Sequence, residues 1–104
     1  MNTKEKIISY GSIQGRHEMP VDGYLLPANA AELYGFHGGM KAAAEAAAIA
    51  LVAEQQPTVV KFYPTGLTIA VIGAIKGFVS TGVKLIIMSF DQISKDYVEV
   101  EYND

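Results

Sequence analysis

Two glycine-bearing segments of the sequence have the composition of phosphate-binding loops. Residues 34–40 read YGFHGGM and precede an alanine-rich stretch, and residues 62–68 read FYPTGLT and precede an apolar stretch. If a helix begins after each segment, its first turn offers up to four unpaired N–H groups and about half a positive charge. Glycine lets a phosphate approach that backbone because no Cβ stands in the way. The two loops together predict a site that grips a diphosphate.

The residues predicted to contact the ligand come from these loops. They are His37, Gly38, Gly39, Met40, Pro64, Thr65, Gly66, Leu67 and Thr68. Thr65 is also predicted to be the N-cap of the second helix. A simpler interpretation stays open, in which the glycines only permit sharp turns and Thr65 only caps a helix. His37 could bind a phosphate or transfer a proton, or it could face water. Arg16, beside His17, could hold a phosphate bidentately, in a segment that otherwise has the composition of a solvated loop.

Strand and helix patterns alternate along the chain. They predict a single small α/β domain over residues 1–104, with a mixed, mostly parallel sheet of about five strands and two main helices. The strands are predicted at 6–10, 23–26, 58–62, 83–89 and 97–102, and the helices at 39–53 and 67–79. Gly11 is predicted to end the first strand. Ligands of parallel sheets bind at the carboxyl ends of the strands, where both loops are expected.

Two of the strands have patterns that predict their place in the sheet. The nearly continuous apolar run at 83–89 is typical of a strand covered on both faces, so it is predicted to be the central strand. The strict alternation of Val98, Val100 and Tyr102 with Tyr97, Glu99 and Glu101 predicts a half-solvated edge strand.

The segment 22–48 resembles a known family. Asp22, an apolar strand, Ala28-Asn29, Gly38-Gly39 and an alanine-rich helix follow in the order of the macro domain signature, and 64–66 resembles that family's second phosphate-facing loop. Leu26 and Ser12 differ from the Asn and the Asp that the family has at these places. The resemblance implies binding of ADP-ribose or a related nucleotide, with Asn29 near the distal ribose and the glycine loops around the diphosphate.

Composition excludes several kinds of partner. Eight Lys and Arg against eleven Asp and Glu give a net charge of −3, so DNA or RNA is not expected to bind. The chain has no cysteine and two histidines, which favours a cytoplasmic protein and disfavours a metal site. No cofactor is predicted. Charged, Gly and Pro residues interrupt each apolar run, so no membrane span is expected.

Three hypotheses about function follow. The first is that the protein binds, and so sequesters or senses, a nucleotide or ADP-ribose-like molecule without turnover, because no catalytic constellation stands out. The second is that it hydrolyses such a nucleotide or ADP-ribose linkage, with Asn29 orienting the ribose or water and His37 moving a proton. The third is a homo-oligomeric assembly module whose thin core and alanine-rich helix are completed by further copies.

Overall fold

The computed structural model describes residues 5–15 and 19–102 of the chain. Within these residues it has five strands and three helices. The strands are β1 (Ile7–Ile13), β2 (Gly23–Leu26), β3 (Val59–Tyr63), β4 (Lys84–Asp91) and β5 (Asp96–Glu101). The helices are α1 (Ala30–Tyr34), α2 (Gly38–Gln55) and α3 (Thr68–Thr81). The predicted α/β class, the five strands and the two main helices are confirmed, and α1 is a short additional helix before α2.

The first strand is longer than predicted. Gly11 does not end β1, which continues to Ile13. The chain stays extended because β1 is hydrogen-bonded on both sides, to β2 and to β3. Gly11 pairs with Tyr24, and a Cβ at Gly11 would lie 2.6 Å from the Tyr24 ring. The glycine therefore makes room for a neighbouring side chain and does not mark a turn.

The strand order of the sheet is β2-β1-β3-β4-β5. Strands β1 to β4 are parallel, and β5 is antiparallel to β4 at the edge. The predicted edge position of β5 is confirmed. Strand β4 is interior but lies next to that edge, so the prediction that it is central is wrong, and β3 is the central strand. From β1 the chain steps first to β2 on one side and then to β3 on the other. This reversal makes the gap beyond the carboxyl ends of β1 and β3 the topological switch point, where open α/β sheets bind ligands.

Helices α2 and α3 pack against each other and against one face of the sheet. Phe62 of β3 and Phe78 of α3 are fully buried and meet edge to face, with ring centroids 5.7 Å apart. The rest of the core comes from alternate strand positions and from one stripe of each helix. It includes Ile8, Val60, Leu85, Met40, Ala44, Ala48, Ala70 and Ala74.

The two helices approach so closely that no side chain fits between them at two points. A Cβ on Gly73 would collide with the backbone carbonyl of Lys41, and one on Gly77 would lie 2.8 Å from the Cβ of Ala48 and close to the carbonyl of Glu45. Small residues at this spacing let the helix backbones touch. On the buried side of α2, the small alanine side chains therefore allow close contact with α3 of the same chain.

The other face of the sheet has two ion pairs between β5 and its neighbours. Lys61 lies 2.8 Å from Glu99, and Lys84 lies 3.8 Å from Glu101. The hydrogen bond to Glu99, together with the charge of that carboxylate, raises the pKa of the Lys61 ammonium. These pairs connect β5 to β3 and β4 on the face opposite the helices.

An aromatic cluster lies on the same face, beyond the ion pairs. The Tyr97 ring lies 4.9 Å from Tyr63 and 5.3 Å from Phe90, with both contacts edge to face. Tyr63 is buried, and burial raises the pKa of its phenol. The cluster supports the part of the β4–β5 hairpin that extends past the pairing with β3.

Candidate functional site

The carboxyl ends of three parallel strands form one rim of the sheet. Ile13 of β1 pairs with Leu26 of β2, and Gly11 of β1 pairs with Tyr63 of β3. After β3 the chain leads directly into α3, whereas after β2 it passes through the short helix α1 before it enters α2. The loops singled out from the sequence therefore do lie at the same rim, on either side of the switch point.

Helix α2 begins at this rim with its glycine pair. His37 is the N-cap residue, and its carbonyl accepts hydrogen bonds from the N–H groups of Met40 and Lys41, both at 3.1 Å. Within the described residues its imidazole makes no capping hydrogen bond. Gly38 and Gly39 are exposed and form the first turn, where N–H groups have no partner inside the helix.

The two glycines differ in what surrounds them. A Cβ at Gly38 would meet nothing within 4 Å, whereas one at Gly39 would collide with the carbonyl oxygen of Tyr34 at the end of α1. Gly39 is therefore needed for the corner between α1 and α2. Gly38 is open to solvent and can be substituted without disturbing the fold.

Helix α3 begins later than its sequence suggests. The prediction that Thr65 is its N-cap is wrong, because the N-cap is Leu67 and the helix starts at Thr68. Gly66, directly before the N-cap Leu67, has a φ of 82°, which is a left-handed conformation. The chain therefore turns at Gly66, between Thr65 and the helix. Thr65 instead bonds to the end of β1. Its N–H donates to the Ser12 hydroxyl at 2.8 Å, and that hydroxyl donates to the Thr65 carbonyl.

The first residues of α2 and α3 lie at nearly the same level, measured along the two helix axes. Gly73 lies against Lys41 and Gly77 against Glu45, so the helices run in the same direction. Counted back from the Gly73–Lys41 contact, α3 begins five residues earlier, at Thr68, and α2 begins three residues earlier, at Gly38. Helix α3 therefore extends two residues further toward the rim. At 1.5 Å per residue this offset is about 3 Å. The positive ends of two helix dipoles are thus side by side.

Neither helix neutralises its own positive end. Neither α2 nor α3 has an acidic residue in its first turn, and within the described chain neither has a side-chain cap. Lys41 adds a positive charge near the start of α2. An anion placed at this rim would therefore meet free N–H donors from two helices without a competing carboxylate in either first turn.

The remaining predicted site residues fall into two groups. His37, Asn29, Pro64, Leu67 and Thr68 are exposed at the rim, and Asn29 is the N-cap residue of α1. Met40 is fully buried in the core, so only its backbone can contact a ligand. Arg16, for which both a phosphate contact and a place in a solvated loop were considered, and its neighbour His17 lie outside the described residues.

Sequence reasoning missed the part that β1 contributes to the site. Ser12 is fully buried and holds the loop after β3 in place. Gly15 also lies close to that loop, since a Cβ at Gly15 would be 3.7 Å from the Thr65 hydroxyl. The pairing joins residues 53 positions apart in the chain. A serine at the end of a buried strand was the available signal, but nothing in the sequence identifies its partner.

Other site chemistry has less support. In residues 5–15 and 19–102 no group of three or more His, Asp or Glu side chains could hold a metal ion. In the same residues no helix is long and apolar enough to cross a membrane. The strand order and the rim define a small two-layer α/β domain in which two helices without acidic first turns begin at the switch point. Comparison of the chain with family models, curated proteins and solved structures finds no match.

Proposed function

We propose that this protein binds a phosphate-bearing small molecule of the nucleotide or ADP-ribose type at the rim between β1 and β3. The observation that carries the proposal is the pair of helix starts, Gly38 and Thr68, that lie within about 3 Å of the same level and have neither an acidic first turn nor a side-chain cap. Two adjacent helix starts offer donors to two phosphates, which favours a diphosphate over a single phosphate.

The nucleoside part of the ligand is proposed from the groups around the helix starts. Exposed apolar side chains surround them, among them Leu33, Tyr34, Phe36 and Leu67. An aromatic or apolar surface beside phosphate donors suits a ligand that joins a base to a charged group. The macro domain resemblance adds an expectation that Asn29, which is exposed at the same rim, contacts a ribose.

The test is a binding titration with variants that add a negative charge at each helix start. Inorganic phosphate, pyrophosphate, ADP-ribose, NAD and cyclic nucleotides are titrated by calorimetry, with adenosine as the phosphate-free control. Gly38→Glu and Thr68→Glu each place a carboxylate on an exposed helix start, where it favours the helix and repels an anion. We expect both to lower affinity at least about tenfold, and Gly38→Gln and Thr68→Gln to lower it less.

A further control separates the rim from net charge. Ala50→Glu adds the same charge to an exposed position of α2 that is twelve residues, or about 18 Å, after Gly38. Because this distance exceeds the Debye length, the variant should leave affinity within about twofold. The proposal fails if no phosphate-bearing compound binds the wild-type protein, or if the Ala50 variant weakens binding as much as the Gly38 variant.

Hydrolysis of the bound molecule is a second candidate function. The observation that favours it is the exposed imidazole of His37 at the N-cap of α2, which forms no cap in the described structure. In that position it can hold or release a proton beside a ligand phosphate or ribose. Multiple-turnover product formation that is lost in His37→Ala would establish this function. Product that never exceeds one equivalent of protein would leave binding alone.

A further inference from the structure

The side chain of Thr65 lies across the carboxyl end of β1, between two glycines. Its methyl group would be 3.2 Å from a Cβ at Gly11, and its hydroxyl would be 3.7 Å from a Cβ at Gly15. Gly11 is buried within β1, whereas Gly15 is exposed beyond the end of that strand. The methyl group therefore faces the sheet, and the hydroxyl lies on the side of the open rim.

The backbone of Thr65 is occupied by contacts within the chain. The hydroxyl of Ser12 accepts from the Thr65 N–H at 2.8 Å and donates to the Thr65 carbonyl. The Thr65 hydroxyl takes part in neither bond, and it is in none of the hydrogen bonds of residues 5–15 and 19–102. At this position the loop after β3 therefore has a side-chain hydroxyl, and not its N–H, to offer to an anion.

The surroundings of Thr65 restrict the direction of its hydroxyl. Threonine is β-branched, so it has few favourable χ1 rotamers, and a change of rotamer would move the methyl group from its place beside Gly11. The ring of Tyr24 occupies the other part of that space, since it lies 2.6 Å from the same Cβ position at Gly11. A hydroxyl that is already oriented loses little side-chain entropy when it binds a ligand.

The first N–H groups of α3 follow this hydroxyl closely along the chain. Thr68 begins the helix three residues after Thr65, and Gly66 turns the chain between them. The carbonyl of Leu67 accepts the first helical hydrogen bond, from Ala70, so the N–H groups before it have no partner inside α3. The hydroxyl adds a side-chain donor to these N–H donors, on the side of the loop that faces β1.

We propose that the Thr65 hydroxyl donates a hydrogen bond to a phosphate oxygen of the molecule bound at the rim, and that Ser12 is the residue that positions it. This inference rests on the proposed function and assigns the ligand contact of the loop after β3. Phosphate oxygens are strong acceptors, and a threonine hydroxyl can rotate its proton toward them. Ser12 is fully buried and bonds only to the backbone of Thr65, so it acts through Thr65 and does not touch the ligand.

The donors at this point favour a phosphate over a sugar hydroxyl. A sugar hydroxyl binds best where it finds an acceptor as well as a donor. The Thr65 carbonyl, which is such an acceptor, is already bonded to Ser12. The first turn of α3 contains no acidic residue that would repel a phosphate.

The first test removes the hydroxyl and keeps the shape of the side chain. Pyrophosphate, ADP-ribose and NAD are titrated by calorimetry into the wild-type protein, Thr65→Val and Thr65→Ser. Each compound that binds the wild-type protein should bind Thr65→Val about 10- to 100-fold more weakly, because a hydrogen bond to a charged group is lost. Thr65→Ser keeps the hydroxyl with more rotamer freedom and should stay within about fivefold of wild type. Ser9→Ala, which removes a hydroxyl elsewhere on β1, should stay within about twofold.

The second test asks whether Ser12 acts through that hydroxyl. Ser12→Ala should also weaken binding, at a temperature where circular dichroism shows the variant to be folded. The double variant with Thr65→Val should bind within about threefold of Thr65→Val alone, because the orientation of an absent hydroxyl has no effect. If the alanine variant does not fold, Ser12→Cys replaces it, since cysteine has a similar size and is a weak hydrogen-bond donor.

The results separate this inference from the proposed function. If none of the three compounds binds the wild-type protein, the proposed function fails and this inference fails with it. If they bind, Gly38→Glu weakens them and Thr65→Val stays within about twofold of wild type, the proposed function stands and the hydroxyl contact is overturned. A loss for ADP-ribose and NAD without a loss for pyrophosphate would also overturn it, because the hydroxyl would then contact the nucleoside part. Affinity losses of Ser12→Ala and Thr65→Val that multiply in the double variant would overturn the role of Ser12.

Discussion

The hydroxyl of Ser12 is hydrogen-bonded to both backbone groups of Thr65, which is 53 residues further along the chain. It accepts from the Thr65 N–H at 2.8 Å and donates to the Thr65 carbonyl. Ser12 is fully buried at the end of β1, and Thr65 lies in the loop between β3 and α3. This contact fixes one side of the rim to the other and uses the Thr65 N–H that the sequence had suggested for a ligand.

Substitution of Ser12 should therefore destabilise the protein. Ser12→Ala leaves the N–H and the carbonyl of Thr65 without their partner in a partly buried loop, and we expect the free energy of unfolding to fall by about 2 to 4 kcal/mol. Urea denaturation followed by circular dichroism measures the change. Ser9→Ala on the same strand is the control, because Ser9 bonds to Asp22 only through its backbone. That control should stay within about 0.5 kcal/mol of wild type, and an equal loss in both variants would contradict the prediction.

The close contact between α2 and α3 gives a second prediction. A methyl group at Gly73 would collide with the backbone of Lys41, so Gly73→Ala forces the helices apart and should lower the free energy of unfolding by about 1 to 3 kcal/mol. Gly38→Ala makes the same change where nothing lies within 4 Å. This control should be neutral or raise stability by up to about 1 kcal/mol. Thermal and urea unfolding of the two proteins compare them directly, and equal effects would show that the helix contact is looser than described.

The end of α2 contains a residue with a strained backbone. Gln56 has a φ of 49° in the left-handed region, where glycine is favoured at a helix end. We expect Gln56→Gly to raise the free energy of unfolding by about 0.5 to 1 kcal/mol. The matched control is Glu54→Gly, two residues earlier within the helix, which should lower it by about 1 kcal/mol. Denaturation midpoints measure both changes, and a loss of stability in the Gln56 variant would be the contrary result.

Stability should fall at alkaline pH. The pKa of Lys61 is raised above 10.5 by its hydrogen bond and charge interaction with Glu99, and the pKa of Tyr63 is raised above 10.0 by burial. The folded chain thus holds protons that the unfolded chain has already released. The stabilisation is complete below about pH 10 and is lost as the pH rises through the folded-state pKa values.

Urea unfolding between about pH 8 and pH 11.5 tests this expectation. The free energy of unfolding should be level at first and should then decline. Lys61→Gln and Tyr63→Phe should each make the decline less steep, since each removes one of the two groups. A decline of the same steepness in both variants would show that other groups cause it.

Local patterns in the sequence predicted most of the secondary structure. The alanine-rich stretch has high helix propensity, the β-branched runs favour strands, and the alternation from Tyr97 to Tyr102 indicates a half-exposed edge. These signals are short-range, so they fix the type of an element better than its ends. At Gly11 the local signal failed, because pairing with strands on both sides kept the chain extended through the glycine.

The candidate site was predicted only in part, because the signals in the sequence are short-range. The two glycine loops could be recognised because a loop and its helix are adjacent in sequence. The burial of Met40 and the displacement of the cap from Thr65 to Leu67 could not, because each depends on contacts with distant residues. The difference between Gly38 and Gly39 likewise depends on where the end of α1 lies.

The sequence by itself determined that this is an α/β domain with a mostly parallel sheet, two main helices and two glycine loops at one rim. Only the tertiary structure decided the strand order, the shared level of the α2 and α3 starts, the Ser12–Thr65 contact and the open edge of β5. The physical reason is that propensity and periodicity act over a few residues. Strand order and helix level, in contrast, depend on which surfaces can be buried together, and that is a property of the whole chain.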